Sequence, residues 1–205
     1  MAAVIGTAGN DNLDGTLDSE VISGLGGDDR IVGYSGDDLI FGGSGNDYLI
    51  GSGGNDILSG GSGDDIVGGG SGDDTLYGGA GNDDLLGGIG NDSLYAIAGN
   101  NRLFGGEGDD WLVSGTGDDF LIGGSGADTF LFDNILGNGT GNDRIVDFDI
   151  GVDLIFIRAT GDEGFDSLDI SQNGINTVVG LANGSSITIN NIDSTQLSAD
   201  DFHIV

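Results

Sequence analysis

A period of nine residues, unbroken for 126 residues from Gly6 to Leu131, constrains this chain more than any other feature in it. Fourteen consecutive rows align without insertion or deletion, and GYSGDDLIF (33–41), GGSGNDYLI (42–50), GGSGDDIVG (60–68) and GGSGDDTLY (69–77) are typical. The first position is Gly in 12 rows, Ala96 and Ser114 departing, and the fourth is Gly in 13, Asp18 departing. The sixth is Asp in 12, with Glu20 and Asn101 in its place elsewhere. The eighth is apolar in all 14 rows, from Leu13 and Ile22 through Leu121 to Phe130. With 37% of the chain apolar, chance gives such a column about once in a million, so the period is structural.

A nine-residue unit of six turn residues and three strand residues buries nothing alone. Two units make an 18-residue coil with a strand on each side, and stacked coils bring identical residues to roughly 4.8 Å from one another along both sheets. The eighth-position residues then form a narrow aliphatic core. The fold expected is an all-β parallel β-roll, a two-sheet right-handed β-helix with 18 residues per coil, closed by a C-terminal β-rich cap. The roll is expected to occupy 1–131 and the capping region 132–205. Val4 lies in phase with the eighth-position column, as though the chain opens on a strand. After Leu131 the phase breaks by six residues and returns once as NGTGNDRIV (138–146), with Asp143 in the aspartate slot. Beyond about 147, alternating segments such as Asp153–Ile157, Thr177–Val179 and Ser186–Ile189, separated by Asn-Gly and Gly-Asp turns, predict a small antiparallel sheet.

The turns carry the chemistry. Glycine supplies backbone angles closed to other residues and lets carbonyls approach a shared point, while the sixth-position carboxylate adds the negative charge that a hard cation needs. Ca²⁺ takes six to eight oxygens at about 2.3–2.6 Å, which stacked turns can offer from both sides; Mg²⁺ wants a tighter octahedron and keeps its waters. Seven turns on each edge leave six gaps per edge and at most 12 sites in the regular array. Twelve calcium ions would bring the formal charge from −31 to −7, ordinary for a soluble domain. Without metal, columns of aspartates repel and glycine adds entropy to the cost, so metal binding is expected to supply folding free energy.

Composition excludes much else. Four Arg and no Lys stand against 35 Asp and Glu, a balance that repels nucleic acid and anionic lipid. There is no cysteine, hence no disulfide or thiolate site, and no apolar run long enough to span a bilayer. Met1–Gly6 has neither a basic region nor a long apolar stretch, so no N-terminal secretion signal is expected. Gly at 45 residues without any Pro fails the collagen pattern. His203 is the only histidine, and HExxH, GxSxG and phosphate-loop motifs are absent. A non-enzymatic chain with no catalytic residues is therefore expected.

The rows match the RTX (repeats-in-toxin) nonapeptide Gly-Gly-x-Gly-x-Asp-x-U-x, U being apolar, and over 6–131 the chain resembles that hemolysin-type calcium-binding family row by row. GADTFLF (126–132) and GNDRIVDFD (141–149) are similar to the C-terminal capping and secretion region of serralysin-type proteases. The resemblance implies type I secretion through an uncleaved C-terminal signal, which Asp201-Phe202-His203-Ile204-Val205 resembles with His203 inserted. It implies calcium ligation by Asp11, Asp29, Asp38, Asp47, Asp56, Asp65, Asp74, Asp83, Asp92, Asp110, Asp119 and Asp128. The turn glycines Gly36, Gly45, Gly54, Gly63, Gly72, Gly81, Gly90, Gly108, Gly117 and Gly126 complete that set. Rows 15–23 (Asp18, Glu20) and 96–104 (Ala96, Ile97, Asn101) depart from the motif's ligands.

Fifth-position acids such as Asp28, Asp37, Asp64, Asp73, Asp109 and Asp118 read as a solvated face. Leu39, Phe41, Ile57, Tyr77, Tyr95, Trp111 and Val113 fall on one outer sheet face, a surface for a partner or for the C-terminal segment. The expected partners are calcium ions and the type I secretion apparatus, with self-association or a polysaccharide as further readings. An adhesive surface protein and the C-terminal module of a larger secreted enzyme are the alternatives to a calcium-switched extracellular module. Ice binding would want a Thr ladder at the third position, and only Thr116 is there.

Overall fold

The computed structural model describes residues 2–133, 141–158, 164–165, 168–181 and 184–205. Each row becomes one strand and the chain crosses from sheet to sheet at every turn. In chain order the strands are β1 (Ala2–Ile5), β2 (Asn12–Asp14), β3 (Glu20–Gly26), β4 (Arg30–Ser35), β5 (Leu39–Ser44), β6 (Tyr48–Gly53) and β7 (Ile57–Ser62). Then follow β8 (Ile66–Ser71), β9 (Thr75–Ala80), β10 (Asp84–Ile89), β11 (Ser93–Ala98), β12 (Arg102–Glu107), β13 (Trp111–Val113), β14 (Phe120–Ser125) and β15 (Thr129–Asp133). The C-terminal part adds β16 (Asn142–Ile145), β17 (Leu154–Arg158), β18 (Asp169–Asn173), β19 (Asn176–Gly180), β20 (Ser186–Ile189) and β21 (Phe202–Ile204), with short 3-10 turns at Ser194–Gln196 and Ala199–Asp201.

The first sheet runs β1-β3-β5-β7-β9-β11-β13-β15-β17-β21 and the second β18-β19-β20-β16-β14-β12-β10-β8-β6-β4-β2. Within the rows every partner lies 18 residues away, as Ile40 faces Leu58 and Leu58 faces Leu76. Val4 faces Ile22, as its phase predicts. Most strands run to six residues, not three, because pairing resumes after the first-position glycine: Gly43 faces Gly61 and Ser44 faces Ser62. The core is the eighth-position column, fully buried from Ile22 to Phe130; Leu13, in the first coil, is only half-buried.

The solenoid continues past Leu131. β16 pairs in parallel with β14, placing Ile145 against Leu121, and β17 pairs in parallel with β15, placing Ile155 against Phe130. β21 and β20 extend the two sheets again in parallel. The expected antiparallel sheet is confined to β18, β19 and β20; β17, expected within it, belongs to the array. The reason is burial: Ile145, Ile155, Ile157, Ile187, Ile189 and Phe202 prolong the same core, and a parallel register is what stacks them on it. β18 and β19 turn at Gly174-Ile175, where Gly174 takes φ +66°.

Candidate metal centre

The turn between sheets is short, and two of its glycines are there for separate reasons. The expected fourth-position glycines, Gly36 to Gly126, all have φ between 102° and 138°, a region L side chains rarely enter. A Cβ on Gly63 would also overlap the Gly45 carbonyl oxygen of the preceding coil. First-position Gly51 has no such angle; a Cβ there would overlap Asp56 Oδ2 and stand 2.9 Å from the Gly69 carbonyl oxygen of the next coil. Two oxygens thus converge on a space that only glycine leaves open.

The sixth-position side chains form a wire along each edge. Oδ1 of each accepts the backbone N–H of its counterpart one coil earlier: Asp47 N–H donates to Asp65 Oδ1 at 2.8 Å, and Asp65 N–H to Asp83 Oδ1 at 2.9 Å. On the other edge Asp56 N–H donates to Asp74 and Asp74 N–H to Asp92, both at 2.8 Å. These aspartates are buried, and Oδ2 of Asp29, Asp38, Asp47, Asp56, Asp65, Asp74, Asp83, Asp92, Asp110, Asp119 and Asp128 has no hydrogen-bond partner. A buried, unsatisfied carboxylate oxygen beside a carbonyl oxygen is costly unless a cation or a proton joins it. Accordingly burial, reinforced by neighbouring carboxylates, pushes Asp65, Asp74 and Asp110 up to about 7 and Asp56 and Asp128 to about 6. Asp119 is pushed up to about 7, again chiefly by burial. Asp38, Asp47, Asp83 and Asp92 are raised for the same first reason.

Eleven of the 12 aspartates named from the sequence therefore share one environment. Asp11 differs: its Oδ2 accepts from Thr7 N–H at 2.6 Å and from Thr7 Oγ1 at 2.9 Å. Among the described residues no three acidic or histidine side chains converge as a ready-made cluster, so a cation on these edges would draw on main-chain carbonyls as much as on carboxylates. That donor set, all oxygen and rich in neutral carbonyls, fits calcium.

The structure adds residues that the nine-residue count passed over. Asp153 Oδ1 accepts Asp128 N–H at 3.0 Å and so continues the wire on one edge, as Asp143 does for Asp119 on the other. Gly151-Val152-Asp153-Leu154-Ile155 repeats the Gly-x-Asp-x-apolar signature one residue out of phase, a signal that was available. The extra residue, Asp147, spends its carboxylate on Gly123 N–H at 3.0 Å and Gly124 N–H at 2.9 Å. The fifth-position side chains form a second ladder: Asp28 Oδ1 accepts Asn46 N–H, Asn46 Oδ1 accepts Asp64 N–H, and Asp64 Oδ1 accepts Asn82 N–H. They are exposed, as expected of a solvated face, yet each grips the following coil.

His203 stacks on Phe156, ring centroids 4.7 Å apart, on the outer face of the first sheet. On that face Phe41, Ile57 and Tyr77 stay 39%, 45% and 36% exposed, and Tyr77 stacks on Tyr95 at 5.0 Å. Farther along it Tyr95, Trp111, Val113, Leu131 and Arg158 line a cavity of about 400 Å³.

A family model described as the RTX calcium-binding nonapeptide repeat (4 copies) matches residues 4–31, 14–49, 32–67, 41–76, 59–94 and 95–130. No curated protein matches the chain. Among solved structures, the extracellular lipase LipA from Serratia marcescens is 20% identical with a TM-score of 0.45; the match covers all of this chain and 40% of the lipase. Two subunits of the Azotobacter vinelandii mannuronan C5-epimerase AlgE6 are also similar. R3 is 23% identical over 96% of this chain and 80% of its own, with a TM-score of 0.31. R2 is 28% identical over 67% of this chain and 91% of its own, with a TM-score of 0.36.

Proposed function

Because the chain belongs to the family of RTX calcium-binding nonapeptide-repeat proteins, we propose that it is a non-enzymatic, secreted calcium-binding module whose turns complete their folding only when calcium is present. The observation that carries this reading is the set of eleven buried aspartate Oδ2 atoms without a hydrogen-bond partner. Asp29 to Asp128 would hold calcium together with carbonyl oxygens of the turn glycines, and the bound ion would neutralise the carboxylates while linking successive coils. The chain's own part is to present those oxygens. Oδ1 of each aspartate is fixed by a backbone N–H, which leaves Oδ2 turned toward the first-position glycine. The fourth-position glycines let successive turns stack closely enough for carbonyls to point the same way.

A chain with 35 acidic residues and few cations stays unfolded in low calcium, which suits passage through a narrow export channel, and folds in the calcium-rich exterior. The C-terminal segment around Asp201-Phe202-His203 would serve as the type I secretion signal. The test is a far-UV circular dichroism titration of EGTA-treated protein with CaCl₂ and, separately, MgCl₂. A cooperative coil-to-β transition with calcium and none with magnesium is expected; a β spectrum indifferent to the chelator would sink the proposal.

A further inference from the structure

Three turns differ in geometry from the other turns in the regular rows; two of them, in rows 15–23 and 96–104, depart from the motif in sequence, and the first keeps its aspartate. In rows three to fourteen the second-position residue has positive φ, even where it is Leu25, Tyr34, Ser52 or Ile97; Thr7 and Thr16, in rows one and two, do not. With that change their N–H and hydroxyl groups reach the sixth-position carboxylate. Thr7 donates twice to Asp11 Oδ2, and Thr16 donates its N–H to Glu20 Oε2 at 3.0 Å and its hydroxyl to Glu20 Oε1.

The eleventh row reaches the same end differently. Asn101 keeps the wire, accepting Asp83 N–H at 2.8 Å through Oδ1. Its Nδ2, standing where an aspartate would have its second oxygen, donates to the Gly99 carbonyl at 2.9 Å and to Asp119 Oδ1 at 3.0 Å. In the same row Ala96 replaces the first-position glycine, and its buried methyl brings no oxygen to the space toward which carboxylate and carbonyl converge elsewhere, whereas Ser114, the other departure, is buried with an Oγ as unpartnered as Asp119 Oδ2. One residue thus adds no oxygen while the other supplies hydrogen-bond donors to oxygens that would otherwise face a cation.

We propose that these three turns are closed to cations by the chain's own donors, so that the regular rows take up at most one ion for each of the eleven open carboxylates, with an interruption on one edge only. Asp38, Asp56, Asp74, Asp92, Asp110 and Asp128 form an unbroken run on the first-sheet edge. On the other edge the run from Asp29 to Asp83 is separated from Asp119 by a neutral carboxamide joint. This rests on the reading of the open turns as calcium sites, and it adds that Asn101 is a substitute for an ion and not a weaker ligand for one.

The test counts ions. Calcium bound at saturation is measured by equilibrium dialysis and atomic absorption for the intact chain and for the double variant A96G/N101D, with circular dichroism verifying that the variant is folded in calcium. One further ion per chain in the variant is the expected result, and an unchanged count overturns the proposal. If the variant does not fold, the side-chain amide protons of Asn101 in ¹⁵N spectra of the calcium-loaded intact chain decide: slow exchange is expected, and solvent-like exchange overturns the closure. An intact chain that binds no calcium would instead overturn the reading of the open turns.

Discussion

At the scale of single residues, the turn glycines and sixth-position aspartates from row three onward answer to contacts with the neighbouring coil. Gly69→Ala places a methyl onto Asp74 Oδ2, and Asp74→Ala removes the carboxylate; each is expected to cost roughly 1–3 kcal/mol of calcium-loaded stability and one bound ion. Asp74→Asn should cost less than Asp74→Ala in thermal unfolding, because the carboxamide can repeat what Asn101 does in its own row. The raised carboxylates fix the pH response of the metal-free chain. A group held near 7 in the fold and near 3.8 in the unfolded chain binds more protons when folded between those values, so metal-free stability rises as pH falls through that window. In EGTA, circular dichroism should therefore show more β structure at pH 5 than at pH 7.5, the reverse of ordinary acid unfolding. Calcium affinity should move the other way, as protons compete for the same oxygens. Much of the geometry was legible from strict phase: from row three onward the sixth-position Asp stack in buried columns, the fourth-position Gly take positive φ and the apolar eighth column forms the core. The fifth-position ladder was not. Its Asp and Asn nearly alternate along each edge, as Asn10-Asp28-Asn46-Asp64-Asn82 do, so that carboxylates seldom stack on carboxylates, but an exposed acid that accepts a backbone N–H looks in sequence like one that accepts only water.

At the scale of elements, the period predicts which strand lies beside which, and the structure agrees from β1 to β15. Legibility ends where the count slips, by six residues before β16 and by one more before β17. A strand with alternating apolar residues does not declare whether its neighbour is parallel. Here the register is set by the buried column, which draws Ile145 and Ile155 into line with Leu121 and Phe130. The single inserted residue is the place to test that continuation. Asp147→Ala would strip the acceptor from Gly123 and Gly124 N–H, at a cost of about 1–3 kcal/mol in thermal unfolding at saturating calcium, with strand content unchanged. A loss of β signal comparable to removing the whole C-terminal part would show that Asp147 organises β17 instead of merely holding β14.

At the scale of the whole molecule, the structure is a stack in which each coil meets only its two neighbours, so stability is close to a sum of coil and interface contributions. Charge makes that sum conditional, because a formal −31 is arranged in columns and not spread evenly. The constant 18-residue register has one more effect. Every coil contributes the same rise of about 4.8 Å whatever its outward side chains are. Reach is therefore written digitally, in multiples of 18 residues, and a duplication of residues 60–77 would lengthen the rod by one graduation without altering its girth. Such a chain is a ruler whose markings are also its cation slots.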